Sequence, residues 1–210
     1  VGIRFDAAAD MLGRTTQLPA FGDLTRMCWV YRVVDNTVSE IVMIIADSTS
    51  FNQFIGYYIA ATAVPRIQAQ FSGGNIFVDG TGALALNTWY HLTQVYDNTA
   101  HTVTIYVNGV QNLQQTSSGT VTFGLERLAN GTSGGTNWVN GRLAAWKGWT
   151  AVLTANEILR EMRSYVPQRV ANLYTWSPFL QHTALADYGV TRAAWTASGT
   201  LTTEDGPPIA

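Results

Sequence analysis

Apolar and polar residues alternate along this chain in short runs, and the runs predict strands. The clearest is Thr102-Val-Thr-Ile-Tyr-Val107, where Val103, Ile105 and Val107 share one face and Thr102, Thr104 and Tyr106 the other. A half-buried strand requires that period of two. Asn108-Gly109 follows, two residues that accept the positive φ of a tight hairpin. Asp97-Asn98 supplies a similar turn just before, so 89–96 is expected to pair with 102–107. Further runs rich in Val, Ile, Thr and aromatic residues fall at 2–5, 24–34, 40–46, 54–60, 66–71 and 141–149. Shorter ones lie near 121–124 and 192–197, and Asn130-Gly131 and Asn140-Gly141 mark further turns. A strand every ~10–15 residues predicts an all-β fold, an antiparallel sandwich of two sheets.

One stretch has a helical period instead. Leu153-Thr-Ala-Asn-Glu-Ile-Leu-Arg-Glu-Met-Arg163 places Thr154 as an N-cap and Glu157 three residues on, a capping box, and predicts a short helix over 154–163. Leu153 and Ile158 fall where a hydrophobic staple belongs. Ile158, Leu159 and Met162 form a narrow apolar stripe, expected to dock on a sheet edge, and Pro167 ends the segment.

Composition narrows the function classes. The 210 residues carry a net charge of -2, and charged residues make up only 12%, about half the ~25% of an ordinary soluble domain. Thr, Asn, Gln and Ser fill the polar half of each strand instead. A hydrophobic share of 47% excludes a disordered chain. The basic residues are one lysine, Lys147, and arginines scattered singly, without the stripe a nucleic-acid binder needs. The longest aliphatic stretch is Ile41-Val-Met-Ile-Ile-Ala46, far short of the ~20 residues of a membrane span, so no membrane insertion is expected. Cys28 has no second cysteine to bridge and sits in the apolar run Met27-Cys28-Trp29-Val30, which reads as a buried inert thiol.

Four stretches resemble one known family. Asn87-Thr-Trp-Tyr-His-Leu-Thr-Gln-Val-Tyr-Asp97 is similar to the W-x-H-hydrophobic-x-x-x-Y-D strand of laminin-G-like, concanavalin A-like jelly-roll domains. Thr104-Ile-Tyr-Val-Asn-Gly109 resembles the strand and turn that follow it there. Trp138-Val-Asn-Gly-Arg-Leu-Ala-Ala-Trp146, then Val152-Leu-Thr-Ala-Asn-Glu-Ile158, resembles the closing strand and its helix. Arg26-Met-Cys-Trp-Val30 resembles an early strand. The tail, Gly199-Thr-Leu-Thr-Thr-Glu-Asp-Gly-Pro-Pro208, looks like the ending of such proteins encoded by phages and prophages. The resemblance implies a two-sheet jelly roll over 1–165, with 166–210 a C-terminal extension packed on or extending from it. It implies glycan or protein recognition more often than catalysis. In one respect the chain departs from the pattern: Leu143-Ala144-Ala145 stands where many members carry an acid after the closing glycine, which puts any calcium contribution of that acid in question.

The chemistry-bearing residues point the same way. A glycosidase needs two carboxylates flanking the scissile bond, and the chain's glutamates, Glu40, Glu126, Glu157, Glu161 and Glu204, show no such spacing. Glu157 is committed to the cap, and Glu126, in Leu125-Glu126-Arg127, reads as a surface ion pair. Tyr90, His91 and Gln94 offer the residue types of a sandwich polysaccharide lyase, without that family's R-x-E and Q-I-H spacings. His91 reads as a packing residue, and His101 and His182 stand without zinc-ligand spacing. Calcium stays open on the hard oxygens of Asp35, Asn36, Asp97, Asn98 and Asp187, although turns account for the first four. Asn130-Gly131-Thr132 is a glycosylation sequon that reads as a turn.

Aromatic residues are the strongest sign of binding, because the apolar C–H faces of sugars stack on rings while amides bond the hydroxyls. Trp29, Trp89 and Trp146 sit in apolar strands and are expected in the core. Trp138 differs: it follows the Gly-rich loop, beside Asn137. Tyr106 and Thr104 occupy the polar face of their strand with Gln94 and Tyr96 as neighbours, and Tyr57-Tyr58 puts one tyrosine on each face. The candidate ligand-binding set is therefore Trp138, Asn137, Tyr106, Thr104, Tyr96, Gln94 and Tyr58. The expected function is a non-catalytic recognition or decoration module on a virion or extracellular surface, binding glycans or a host surface and needing no cofactor. A capsid or fibre assembly piece is the alternative, with homo-oligomers left open, and a lyase or glycoside hydrolase on the same fold is the third.

Overall fold

The alternating runs fold into two antiparallel sheets. The computed structural model describes residues 1–15, 22–36, 38–48, 51–117, 119–131, 134–181, 183, 185–190 and 192–209. In chain order the strands are β1 Gly2–Phe5, β2 Met11–Thr15, β3 Leu24–Arg32, β4 Glu40–Ala46, β5 Phe54–Ile59, β6 Pro65–Phe71, β7 Gly74–Asp79 and β8 Trp89–Asp97. They continue as β9 Thr102–Val107, β10 Val110–Thr116, β11 Leu125–Leu128, β12 Gly141–Trp149, β13 Leu173–Ser177, β14 Thr196–Ser198 and β15 Thr202–Glu204, with one helix, α1 Ala155–Met162. One sheet runs β10-β9-β8-β3-β12-β1-β15, with β13 also on β12, and the other runs β14-β2-β11-β4-β5-β6-β7. Residues after 165 thus add strands to both sheets: β13 and β15 to the first, β14 to the second.

The alternation decides what lies between the sheets. Val103 and Ile105 of β9, Ile45 of β4, Tyr57 of β5, Leu12 of β2 and Trp146 of β12 meet in one apolar core, closed by Phe179, Trp195 and Leu201 from the C-terminal segment. Burying such side chains contributes about 1.5–3 kcal/mol each relative to leaving them in water. Cys28 lies in this core, and burial pushes its thiol well above the ordinary range, so it is held as an inert thiol.

A polar seam crosses the same interior. Glu126, expected at the surface, is fully buried. Its carboxylate accepts from Arg14 Nε at 3.0 Å and Nη2 at 2.5 Å, from Arg26 Nη1 at 3.5 Å and from Tyr174 Oη at 2.9 Å. Arg14 Nη1 also donates to Asp187 Oδ2 at 2.5 Å, so two guanidiniums meet two carboxylates and the seam is neutral. The reason is register: Glu126 pairs with Ile45 and Arg14, whose side chains face inward, while its neighbours Leu125 and Arg127 face out.

Helix α1 starts as its sequence predicts. Thr154 Oγ1 accepts from Glu157 N, and Glu157 Oε2 accepts from Thr154 N at 2.8 Å. That backbone bond lowers the Glu157 carboxyl below its ordinary range, with Arg169 assisting. The helix packs over the outer face of the first sheet rather than on its edge. Leu153 and Ile158 join Met27, Val95 and Trp149 there in a second apolar cluster. Trp29 Nε1 donates to Met162 O at 3.2 Å. Lys147 Nζ reaches across to Glu161 O and Oε2, both at 2.9 Å, and to Ser164 O at 2.6 Å. Asn108 and Gly109, both with positive φ, turn the β9–β10 hairpin beneath the helix, where a Cβ at position 109 would run into Leu159.

Several expectations shift. Trp146 is in the core, but Trp29 and Trp89 are half-buried on the outer face, Trp29 against His91 and Trp89 against Tyr31. Residues 121–124 form no strand; β11 begins at Leu125. His182 and Thr132 lie outside the described residues.

Candidate functional site

Cross-strand partners share a face, so the register sorts the candidate residues. Tyr106 pairs with Thr93 and Thr104 with Val95, on the outer face of the first sheet. Gln94 pairs with Ile105 and Tyr96 with Val103, on the inner face. Gln94 and Tyr96 are therefore buried between the sheets and are not neighbours of Tyr106 and Thr104. Gln94 Oε1 accepts from Arg26 Nη2. Tyr96 packs between Phe71, with ring planes tilted 32° apart, and Phe123, edge to face at 86°. Thr104 is buried, and Tyr106 packs against the cluster beneath α1. None of these four lines the pocket in which Tyr58 and Asn137 meet.

Tyr58 and Asn137 do come together. They line a pocket of about 260 Å³ on the outer face of the second sheet, with Ile41, Ile44, Phe51, Phe54 and Gln68. Its floor follows from the strand pattern. β4 is apolar on both faces: Met43 and Ile45 enter the core, while Ile41 and Ile44 face out. Ile44 pairs with Gly56, and Gly56 pairs with Gln68. Glycine at the centre of this row lets the Tyr58 ring fold over it, since a Cβ at position 56 would overlap that ring. Ile41, Ile44 and Tyr58 thereby form an apolar cluster separate from the main core, rimmed by Phe51 and Phe54, whose rings meet edge to face at 6.5 Å.

The rim carries polar groups. Asn137 Nδ2 donates to Ser39 O at 2.7 Å, and its Oδ1 accepts from Thr136 Oγ1 at 3.1 Å, which fixes the amide at the mouth. The half-buried Gln68 amide makes no hydrogen bond among the described residues. Tyr58 is 5% exposed, and burial pushes its phenol above the ordinary range. Trp138 sits just beyond: it bridges Ile41 in a short parallel contact, and its carbonyl accepts from Asn36 Nδ2 at 2.7 Å, but its ring does not line the pocket. Asn130, the sequon residue, is buried and donates to Ala8 O at 2.8 Å.

Two more depressions lie on the same face. One of about 200 Å³ shares Phe54 and Gln68 with the first and adds Phe77 and Asn75. The other, about 290 Å³, lies between β2, β11 and β14 and is lined by Gly13, Thr15, Arg127, Thr196 and Ser198 among others. Among the described residues no Asp, Glu or His lines any of the three.

The oxygens proposed for a cation are otherwise engaged. Asp187 Oδ1 accepts from Trp176 N and Gly189 N, Asp35 pairs with Arg32, and Asp97 Oδ1 accepts from Ala100 N. Among the described residues no group of three or more His, Cys, Asp or Glu side chains converges as a metal site. His91 is buried against Trp29, and burial, with Lys147 nearby, takes its imidazole down to about 3.

The sequence model described as the concanavalin A-like lectin/glucanases superfamily, a laminin G type, matches residues 8–159. The chain belongs to this superfamily. No curated protein sequence matches the chain. Among solved structures, this lectin/glucanase-type domain is similar to a heptameric SAP-like pentraxin from Limulus polyphemus, at TM-score 0.68 and 14% identity over 95% of this chain and 92% of that one. It is similar to the CBM40 domain of the Ruminococcus gnavus IT-sialidase bound to α2,3-sialyllactose, at 0.59 and 12% over 76% and 95%. It also resembles domain 4 of AbnA, a GH43 extracellular arabinanase from Geobacillus stearothermophilus, in complex with arabinotriose, at 0.56 and 17% over 77% and 72%. At these identities the likeness is one of fold.

Of the residues lining this pocket, the sequence singled out Tyr58 and Asn137 but not Ile41, Ile44, Phe51, Phe54 and Gln68. The signal was present in Glu40-Ile-Val-Met-Ile-Ile-Ala46. A strand of an antiparallel sheet that is apolar on both faces needs something to cover its outer side.

Proposed function

We propose that the chain is a non-catalytic glycan-binding module whose ligand lies on the outer face of the β14–β7 sheet. The observation that carries this reading is the apolar floor of Ile41, Ile44 and Tyr58, rimmed by Phe51 and Phe54 and flanked by the amides of Gln68 and Asn137. Rings offer the C–H faces of a sugar a stacking surface, and amides offer its hydroxyls both donors and acceptors. The bound sugars of the CBM40 and AbnA structures support the ligand class. Three pockets whose described lining holds no carboxylate or imidazole support binding over hydrolysis. The setting we propose is the surface of a virion or a cell, on the strength of the resemblance of the tail.

A glycan array followed by calorimetry on the full chain tests this. Tyr58→Ala and Phe54→Ala should each weaken the best ligand about tenfold or more, as loss of a buried aromatic anchor does, with the fold kept by circular dichroism. Absence of any glycan ligand, or affinity untouched by both variants, refutes the reading.

One observation favours assembly as a second reading. β10, Val110-Gln-Asn-Leu-Gln-Gln-Thr116, is a sheet edge with no charge or proline to guard it. Sedimentation that shows a concentration-independent monomer counts against self-assembly through this edge.

A further inference from the structure

The face proposed for glycan binding holds one cation, Arg127, that no carboxylate among the described residues neutralises. Arg127 lies on β11 facing out, half-buried. Arg4, Arg14, Arg26, Arg32, Arg66, Arg142, Arg169 and Lys147 all reach a carboxylate. Arg160, Arg163 and Arg192 are exposed to water. Arg127 has neither remedy. Among the described residues, which include every Asp and Glu of the chain, no carboxylate pairs with it. Its Nη1 donates to Gly131 O, its guanidinium lies 5.1 Å from the Phe51 ring centre, and its Nε and Nη2 make no protein hydrogen bond. Half-burying an unpaired charge costs free energy, and its pKa is lowered by burial with no carboxylate to raise it.

The register says what Arg127 stands between. Thr196, Gly13, Arg127, Ile44, Gly56, Gln68 and Phe77 pair in turn across all seven strands, from β14 to β7. The row has a glycine on each side of the arginine. Gly56 underlies the aromatic pocket, and Gly13 opens the pocket of about 290 Å³ that Arg127 itself lines with the hydroxyls of Thr15, Thr196 and Ser198. The two glycines are three strand spacings apart, roughly 14 Å. A guanidinium stacked on a ring keeps its N–H edge for in-plane oxygens, the bidentate geometry that carboxylate and sulfate satisfy.

We infer that the ligand is an acidic glycan, one sugar ring resting on the Tyr58–Phe54 pocket while the anionic group of an adjoining residue is held by Arg127 and the hydroxyls of Thr15, Thr196 and Ser198. This inference rests on the glycan-binding reading and specifies its ligand class. The anion comes from a uronate-type carboxylate or from a sulfate ester, chemistries that Arg127 meets alike.

Calorimetry on the full chain tests it with two pairs of probes. Oligogalacturonate is compared with its carboxyl-reduced form, and heparin tetrasaccharide with its desulfated form. The expected result is affinity about tenfold or more higher for the acidic member of at least one pair, and the pair that responds identifies carboxylate or sulfate. Arg127→Gln should level the two members, whereas Arg127→Lys should keep part of the preference. Gly13→Ala is a second variant that leaves the charge alone. Its Cβ would sit 3.6 Å from Met11 and 3.8 Å from Arg127, ordinary contact, so the fold holds while acidic-probe affinity drops several-fold. If acidic and neutral probes bind alike, or Arg127→Gln keeps the preference, the inference falls and the glycan reading stands through its Tyr58 dependence. If no glycan of either kind binds, both fall together.

Discussion

His91 gives the sharpest test of the packing, because acid should act on it over a defined pH window and a single substitution removes its titration. The imidazole is 2% exposed beneath α1, edge-on to Trp29 with ring centres 5.3 Å apart, with Thr93 Oγ1 3.4 Å from Nδ1. Burial first, then the Lys147 ammonium, takes its pKa from 6.5 to about 3. The folded state thus holds neutral imidazole where the unfolded chain takes up a proton. Stability from this group is fully present above the unfolded value and is lost as pH falls from about 6.5 toward about 3. Each pH unit in that window costs about 1.4 kcal/mol, so lowering the pH to 5 removes about 2 kcal/mol. Urea unfolding of the parent and of His91→Phe at pH 8, 7, 6 and 5 isolates the effect, since the carboxylates are common to both. The variant does not titrate, so the stability difference between the two should shift by about 2 kcal/mol in its favour between pH 8 and 5. Parallel curves across that range, or a His91 ring that titrates near 6.5 by NMR in the folded protein, would refute the reasoning.

Other parts of the structure make further demands. Gly56→Ala places a methyl group inside the Tyr58 ring; it should cost about 1–3 kcal/mol in urea unfolding, as overpacking does, and weaken glycan binding with it. Glu126→Ala strips Arg14, Arg26 and Tyr174 of a common acceptor and should cost about 3–5 kcal/mol, the scale of a broken buried ion pair; an unchanged denaturation midpoint would contradict the seam. Lys147, the one lysine, is sealed by three acceptors, so an amine-reactive reagent read by mass spectrometry should leave Lys147 unmodified in the native chain and label it once denaturant is added. Thr154→Ala should cost about 1 kcal/mol through the lost cap of α1, measured by urea unfolding.

Two patterns were legible in the sequence: alternation set by one buried face, of which β9 is the clearest case, and short apolar runs buried on both faces, of which β4 is one; β1, β4 and β12 match their predicted bounds. β2, β7 and β10 were not legible, each for a physical reason. β2 sends Arg14 inward to Glu126, so its pattern reads as polar. β7 puts Phe77 outward, 59% exposed, because that face borders the shallow pocket with Phe54. β10 is an edge with little to bury. The same competition hid the site. Gln94 and Tyr96 alternate with Thr93 and Val95, and the sequence does not say which of the two faces is inside when the inner one accepts an arginine and an amide. The neutral Arg14–Glu126–Arg26–Asp187 seam made polar side chains interior.

Low charge acquires a definite meaning once the ion pairs are placed. Few ions are available, and a set of them is spent in the interior: Arg14, Arg26 and Arg32 with Glu126, Glu40 and Asp187, and Lys147 with Glu161 beneath the helix. The outer face of the β14–β7 sheet is left with amides, hydroxyls and rings, and its acidic residue at the far edge, Asp79, is engaged by Arg66. On such a face a single guanidinium without a counter-ion has a disproportionate electrostatic effect, because no local carboxylate screens it and its pocket partly excludes water. The scarcity of charge that argues against hydrolysis is therefore also what would let Arg127 discriminate an acidic sugar from a neutral one.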